Sequence, residues 1–113
     1  MVEDEDSLRI AAVTMLRKSG LSVLEATDGT TAIAAIRRDR SIELLLLDVS
    51  LPGVPSREVL AEAKRLRPAM RVIATSAYGE DFAATSLGGH VDRFIRKPYS
   101  LHDLIKLVRQ TLP

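Results

Sequence analysis

Residues 42–53, IELLLLDVSLPG, constrain the fold more than any other stretch of the chain. Leu44, Leu45, Leu46 and Leu47 put apolar side chains on both faces of an extended segment. Such a strand belongs in the middle of a parallel sheet that is covered by helices on both sides. An ionised carboxylate is costly in that setting. Yet Asp48 follows the leucines directly, and Pro52 and Gly53 turn the chain shortly afterwards.

Around this strand two hydrophobic periods alternate. SLRIAAVTMLRKSG reads as a helix, with Leu8, Ala12, Met15 and Leu16 on one stripe, Asp6 or Ser7 as cap and Gly20 as stop. LSVLEA reads as a short strand, and DGTTAIAAIRRDR as a helix with Ala32, Ile33 and Ile36 inward. SREVLAEAKRLR starts at a cap, Ser56, and stops at Pro68. RVIATS is a further strand, followed by a weaker helix around Phe82 to Leu87 and a short strand, RFIRK. SLHDLIKLVRQTL closes the chain as an amphipathic helix, with Ser100 and Asp103 resembling a capping box. Strands separated by helices imply βαβ units with right-handed crossovers around a parallel sheet. Ligands of such sheets bind beyond the carboxyl ends of the strands, and Asp48 stands at one of those ends.

Composition narrows the function classes. The 113 residues form one domain, 1–113, with a core of adequate size. Sixteen basic residues against fifteen acidic leave a formal charge of +1, no footprint for direct nucleic-acid binding. No apolar run reaches the ~20 residues of a membrane span, and no signal-peptide pattern opens the chain. The absence of cysteine removes disulfides and thiolate chemistry. The plain reading is a cytoplasmic protein. His90 and His102 lie in different segments and make no metal motif. Asp28-Gly29 reads as a turn and helix start without chemistry.

Glu3 and Asp4 precede the first helix. They read either as a solvated acidic terminus favouring the helix dipole, or as partners of Asp48 at adjacent strand ends. Two carboxylates about 4 Å apart repel by roughly 4 kcal/mol at an effective dielectric near 20. Three together must raise a pKa or bind a cation, and all-oxygen ligands with room for water suit Mg²⁺. Ser76 ends one further strand, and Lys97, before Pro98, ends another. Each alone is unremarkable. Acids, a hydroxyl and a lysine, all at carboxyl strand ends, form a pattern.

The ordered set Glu3-Asp4, Asp48 with Pro52-Gly53, Ser76-Ala77 and Lys97-Pro98 resembles the receiver domain of two-component response regulators over essentially the whole chain. The resemblance implies an α/β, flavodoxin-like doubly wound sheet of five parallel strands, order 2-1-3-4-5, with helices on both faces. It implies that Asp48 accepts a phosphoryl group from a histidine kinase or histidine phosphotransfer protein. Asp4, Asp48 and the Ser50 backbone carbonyl would ligate Mg²⁺, with Glu3 acting through water. Lys97 would pair with Asp48 and then with the phosphoryl oxygens, and Ser76 would bond the phosphoryl group. Ser76 and Phe94 would form the switch, presenting the fourth helix, last strand and last helix to a downstream protein target or covalently linked output domain. Ser50 and Tyr78 would flank the path of the hydrolysing water, and Tyr78 is bulky enough to slow dephosphorylation. The domain would catalyse only its own phosphorylation and slow dephosphorylation, and is not otherwise an enzyme.

Some positions depart from the family. Ser56 stands where glycine is common, with Pro55 before it, and His90-Val91 replaces a usual Gly-Ala. Only Met1 and Val2 precede the acidic pair, so the first strand is expected to be short or truncated, leaving backbone groups on both neighbours unpaired. That shortness fits a domain cut from a longer chain, such as a hybrid histidine kinase, or a truly short strand offset by homodimerisation. Two rival readings use similar residues. A Mg²⁺ phosphohydrolase or topoisomerase-primase-like domain usually carries a second acid two residues beyond the first, where this chain has Ser50. A phosphorylation-independent pseudo-receiver scaffold has no need of the complete acid, hydroxyl and lysine set.

Overall fold

The computed structural model describes residues 1–113. Its elements are α1 (Asp6–Lys18), α2 (Gly29–Arg38), β1 (Leu44–Asp48), α3 (Ser56–Leu66), β2 (Arg71–Ser76), α4 (Glu80–Leu87), β3 (Arg93–Arg96) and α5 (Leu101–Thr111). The strands run parallel in the order β1-β2-β3, with Leu47 opposite Ala74 and Ala74 opposite Phe94. No helix is long and apolar enough to cross a membrane.

The leucine run behaves as a strand buried on both faces. Its period of two sends Leu45 and Leu47 toward Ala32 and Ile36 of α2 and Val59 and Leu60 of α3. Leu46 goes the other way, into a second cluster with Ala12 and Leu16 of α1 and Leu104 and Val108 of α5. β2 repeats the division: Val72 and Ala74 join the first cluster and Ile73 the second. Each fully buried leucine or isoleucine stabilises by roughly 2 kcal/mol. β1 is therefore held from four sides, and the position of Asp48 is held with it.

Local chemistry explains the helix ends. Asp28 accepts from the Thr31 N–H at 2.8 Å and Ser100 from the Asp103 N–H at 3.0 Å, both as N-caps. Two expected caps are corrected. Glu5, without a side-chain bond, precedes α1 in place of Asp6 or Ser7, and Pro55 precedes α3, making Ser56 its first helical residue. α4 begins at Glu80, ahead of the expected Phe82, and ends at Gly88, whose φ of 61° is left-handed. Met15, expected on the buried stripe of α1, is exposed, and Val13 is buried in its place.

The sheet has three strands where five were expected. The other two positions are reduced to parallel bridges: Val2 pairs with Ala26 on one side and with Leu47 on the other. The spatial order around Val2 is the expected one, but LSVLEA has too little beside it to form a ladder. On either side of β1 the Glu43 carbonyl and the Val49 N–H bond β2. By alternation, the backbone groups of Leu44, Leu46 and Asp48 face the other way. Val2 takes the Leu46 carbonyl at 2.8 Å and the Asp48 N–H at 3.1 Å. Beyond Met1 the Leu46 N–H and Leu44 carbonyl face an apolar cavity of ≈ 400 Å³, whose opposite wall is Leu21, Val23 and Leu24. On that wall the Leu24 N–H and Ser22 carbonyl have no backbone partner.

The Met1 ammonium donates to the Leu24 carbonyl at 2.7 Å, and burial lowers its pKa from 8.0 to about 6. Between those values the unfolded chain binds the extra proton, so this group makes stability rise as pH rises from about 6 to about 8. Thermal melts across that window are expected to show the rise. Joining about four apolar residues ahead of Met1 is expected to fill the cavity and raise the melting midpoint by about 5 °C or more, since 1 kcal/mol moves a domain of this size by about 4 °C. A Gly-Ser extension of equal length leaves the midpoint within about 2 °C of the parent. Equal midpoints for both extensions show that the cavity wall does not accept a strand.

Candidate functional site

Three adjacent strand ends converge at one rim of the sheet. Asp48 ends β1, Ser76 ends β2, and Lys97 follows β3, its N–H donating to the Ser76 carbonyl at 2.8 Å. The parallel register brings these ends level, and the peptide after Lys97, to Pro98, is cis. Val2, bridged to Leu47, delivers Glu3 and Asp4 to the same rim. One carboxylate oxygen from each of Glu3, Asp4 and Asp48 lies within 4.8 Å of the others.

Charge is tightly managed there. Asp48 is 4% exposed. Its Oδ1 accepts from the Ser50 N–H at 3.0 Å, and its Oδ2 meets Lys97 Nζ at 2.7 Å. The same ammonium lies 2.5 Å from Oε1 of Glu3, which is 1% exposed. Burial pushes the Glu3 carboxyl above the usual range, outweighing the pull of Lys97 and of the Glu5 N–H. Burial pulls the Lys97 ammonium down, but its hydrogen bond to Asp48 and its close contact with the Glu3 carboxylate prevail and hold it raised. Asp4 remains exposed, on the solvent side of the cluster. An ammonium thus bridges the two buried carboxylates while the third faces water.

The remaining expected residues occupy distinct places. The Ser76 hydroxyl is buried and accepts from the Tyr78 N–H at 2.9 Å. Tyr78 is 58% exposed, its ring leaning on Phe82 with centroids 4.8 Å apart. Phe94 is half-buried against the cluster that contains Ala74 and Ala83. Ser50 lies exposed in the loop after β1. His90 and His102 are both exposed and stand apart from the acidic cluster.

Sequence reasoning missed three contributors. Arg9, buried in α1, donates to the Glu3 carbonyl at 3.1 Å, to Asp6 at 2.9 Å and to Glu25 at 3.1 Å, fixing the acidic loop to two neighbours. An arginine interrupting the apolar stripe was its only trace in the sequence. Gly29 lets α2 meet the loop after β1: a Cβ there would lie 1.9 Å from the Val54 carbonyl oxygen. Tyr99 places a buried hydroxyl without a partner near the cluster, and burial, then the Glu3 charge, raise its pKa to about 12.

Comparison with known proteins agrees with this geometry. The model of the response regulator receiver domain family matches residues 1–109. The chain is 31% identical to sensor kinase CckA of Brucella abortus over 99% of its own length and 12% of that protein. It is 33% identical to the sensory transduction protein RegX3 of Mycobacterium tuberculosis over 99% of its length and 49% of RegX3. The chain thus spans half or less of these curated relatives. The crystal structure of the receiver domain from the hybrid histidine kinase CckA superposes with a TM-score of 0.80 at 34% identity, covering 99% of this chain and 95% of that one. The chain belongs to the response regulator receiver domain family of two-component signalling. Members are signalling switches rather than conventional enzymes, and they bind Mg²⁺ at an acidic pocket.

The donor set here fits such an ion: oxygen ligands only, close together, one of them open to water. Asp4→Ala and Asp48→Asn are each expected to weaken Mg²⁺ binding about tenfold or more in a titration near neutral pH. Unchanged affinity in both variants would reduce the cluster to a solvated acidic terminus.

Proposed function

We propose that residues 1–113 form a phosphoryl-accepting switch in which Asp48 takes a phosphoryl group from the phosphohistidine of a histidine kinase or phosphotransfer protein. The observation that carries this reading is the Asp48 carboxylate, fixed at a strand end beside both an ammonium and two further carboxylates. A carboxylate oxygen of Asp48 forms the new O–P bond as the donor's P–N bond breaks, and the leaving imidazole keeps the bonding pair and takes up a proton. Asp4, Asp48 and the Ser50 carbonyl would hold Mg²⁺ directly, and Glu3 through water. The ion would offset charge on the transferring oxygens. Lys97 meets the same oxygens with its ammonium, a positioned charge of the kind that dominates phosphoryl transfer.

Readout follows from what phosphate rearranges. Ser76, which accepts from the Tyr78 N–H, has its own O–H to donate to a phosphoryl oxygen, and moving toward that oxygen pulls on the loop ahead of α4. Phe94, beside Ala74 in the sheet, fills the space that this movement vacates. The switch works to the extent that phosphate binds one of two existing states better. α4, β3 and α5 then form the surface offered to a downstream target or a linked output domain.

Incubating the protein with Mg²⁺ and a small phosphodonor, then measuring intact mass, tests the reading. One added phosphoryl group is expected, absent in Asp48→Asn. Continuous donor turnover indicates a phosphohydrolase, and no addition indicates a pseudo-receiver scaffold. Tyr78 and the small Ser50 are expected to make loss of the phosphoryl group slow, over minutes or longer. Tyr78→Ala is expected to speed the decay several-fold, and an equal decay rate shows that Tyr78 does not shield the phosphate.

A further inference from the structure

The Asp48 backbone is tied in a way that the sheet alone does not supply. Its N–H donates to Val2. In a continued parallel ladder its carbonyl would accept from Asp4 N–H, two residues further on. That bond is not made: the Asp4 N–H has no backbone partner. The Asp48 carbonyl takes its hydrogen bond from Ser56 Oγ, at 2.6 Å and eight residues along. That is a short, fully formed O–H···O bond. Ser56 is 3% exposed, so water does not compete for either partner.

Ser56 is also unusual as a helix-start serine. A hydroxyl in the first turn ordinarily serves the local backbone. Here Pro55 is the N-cap without a side-chain bond, and the Ser56 hydroxyl reaches back across the Val49–Pro55 loop to β1. The bond ties the start of α3 to the residue that carries the carboxylate. At that residue Ser50 and Lys97 fix the two side-chain oxygens, Val2 fixes the N–H, and Ser56 fixes the carbonyl.

We infer that Ser56 is a positioning residue for phosphoryl uptake, its hydroxyl holding the Asp48 backbone so that the carboxylate stays aligned with Lys97. The role presupposes phosphoryl acceptance by Asp48. A misplacement of about 1 Å at a reacting group can lower a rate by up to about a hundredfold. Loss of one of the two backbone ties is expected to allow a smaller shift. Donor binding, which Ser56 does not touch, is expected to remain as it was.

The experiment measures phosphorylation of the parent, Ser56→Ala and Ser56→Cys by a small phosphodonor with saturating Mg²⁺, at a temperature where each is fully folded. Ser56→Cys leaves no void and replaces a strong donor with a weak one, so it complements the alanine variant, which removes the hydroxyl and its volume together. The maximal uptake rate is expected to fall about tenfold in both, with half-saturating donor concentration and Mg²⁺ affinity within twofold of the parent. A lower melting temperature with an unchanged maximal rate would overturn the inference and leave Ser56 a purely structural hydroxyl. A parent that gains no phosphoryl group sinks the phosphoryl-accepting reading and this role with it. A parent that reacts beside variants that react equally fast sinks this role alone.

Discussion

The contact of Lys97 with Asp48 and Glu3 is the constraint to which the rest of the structure answers. Two carboxylates, 4% and 1% exposed, sit at the end of an apolar sheet. They are tolerable there because one ammonium reaches both, at 2.7 and 2.5 Å. Removing one member of a buried pair leaves an uncompensated charge, worth about 3–5 kcal/mol of destabilisation. The three groups come from parts of the chain far apart in sequence. The register of β1, β2 and β3 and the bridge at Val2 must all be correct before the charges meet. Fold and site therefore depend on each other.

That dependence explains how a reduced sheet still presents a complete rim. Val2 supplies two bonds to β1 at the end nearest Asp48, enough to deliver Glu3 and Asp4. The apolar cavity is lined by Leu44, Leu45 and Leu46, and none of Glu3, Asp4 and Asp48 borders it. Arg9 adds a second anchor, binding the Glu3 carbonyl from α1. The two bridges at Val2 thus suffice to bring the acidic rim together.

The residues proposed for the switch lie at the rim and the edge of the sheet. Ser76 is buried, but its hydroxyl is held only by a loop N–H. The exposed rings of Tyr78 and Phe82 meet at a tilt around the start of α4. β3 is the edge strand of the sheet, with exposed Arg93 and Arg96 at its ends and half-buried Phe94 and Ile95 between them. Charged side chains on an edge discourage pairing with another sheet. A carboxylate held at a strand buried on both faces, and a half-buried edge strand, fit the proposed uptake and readout of a phosphoryl group.

The apolar periods, the caps Asp28 and Ser100, and the four strand-end groups Asp48, Ser76, Lys97 and Glu3 could be read from the chain because each is a local pattern. A buried strand, a helix start or a strand end is encoded within a few residues. The sequence by itself therefore determined the class of fold and which side chains would gather at its rim. Only the tertiary structure decided how they gather. That an ammonium bridges Asp48 and Glu3, that Arg9 holds the acidic loop, and that Ser56 serves the Asp48 carbonyl instead of capping α3 are contacts between distant residues. So too is the reduction of LSVLEA to a single bridge, which depends on how much backbone lies beside it rather than on its own β-propensity. Hydrogen bonds and ion pairs act over about 3 Å, and no spacing along a chain specifies which groups will lie that close until the elements have packed.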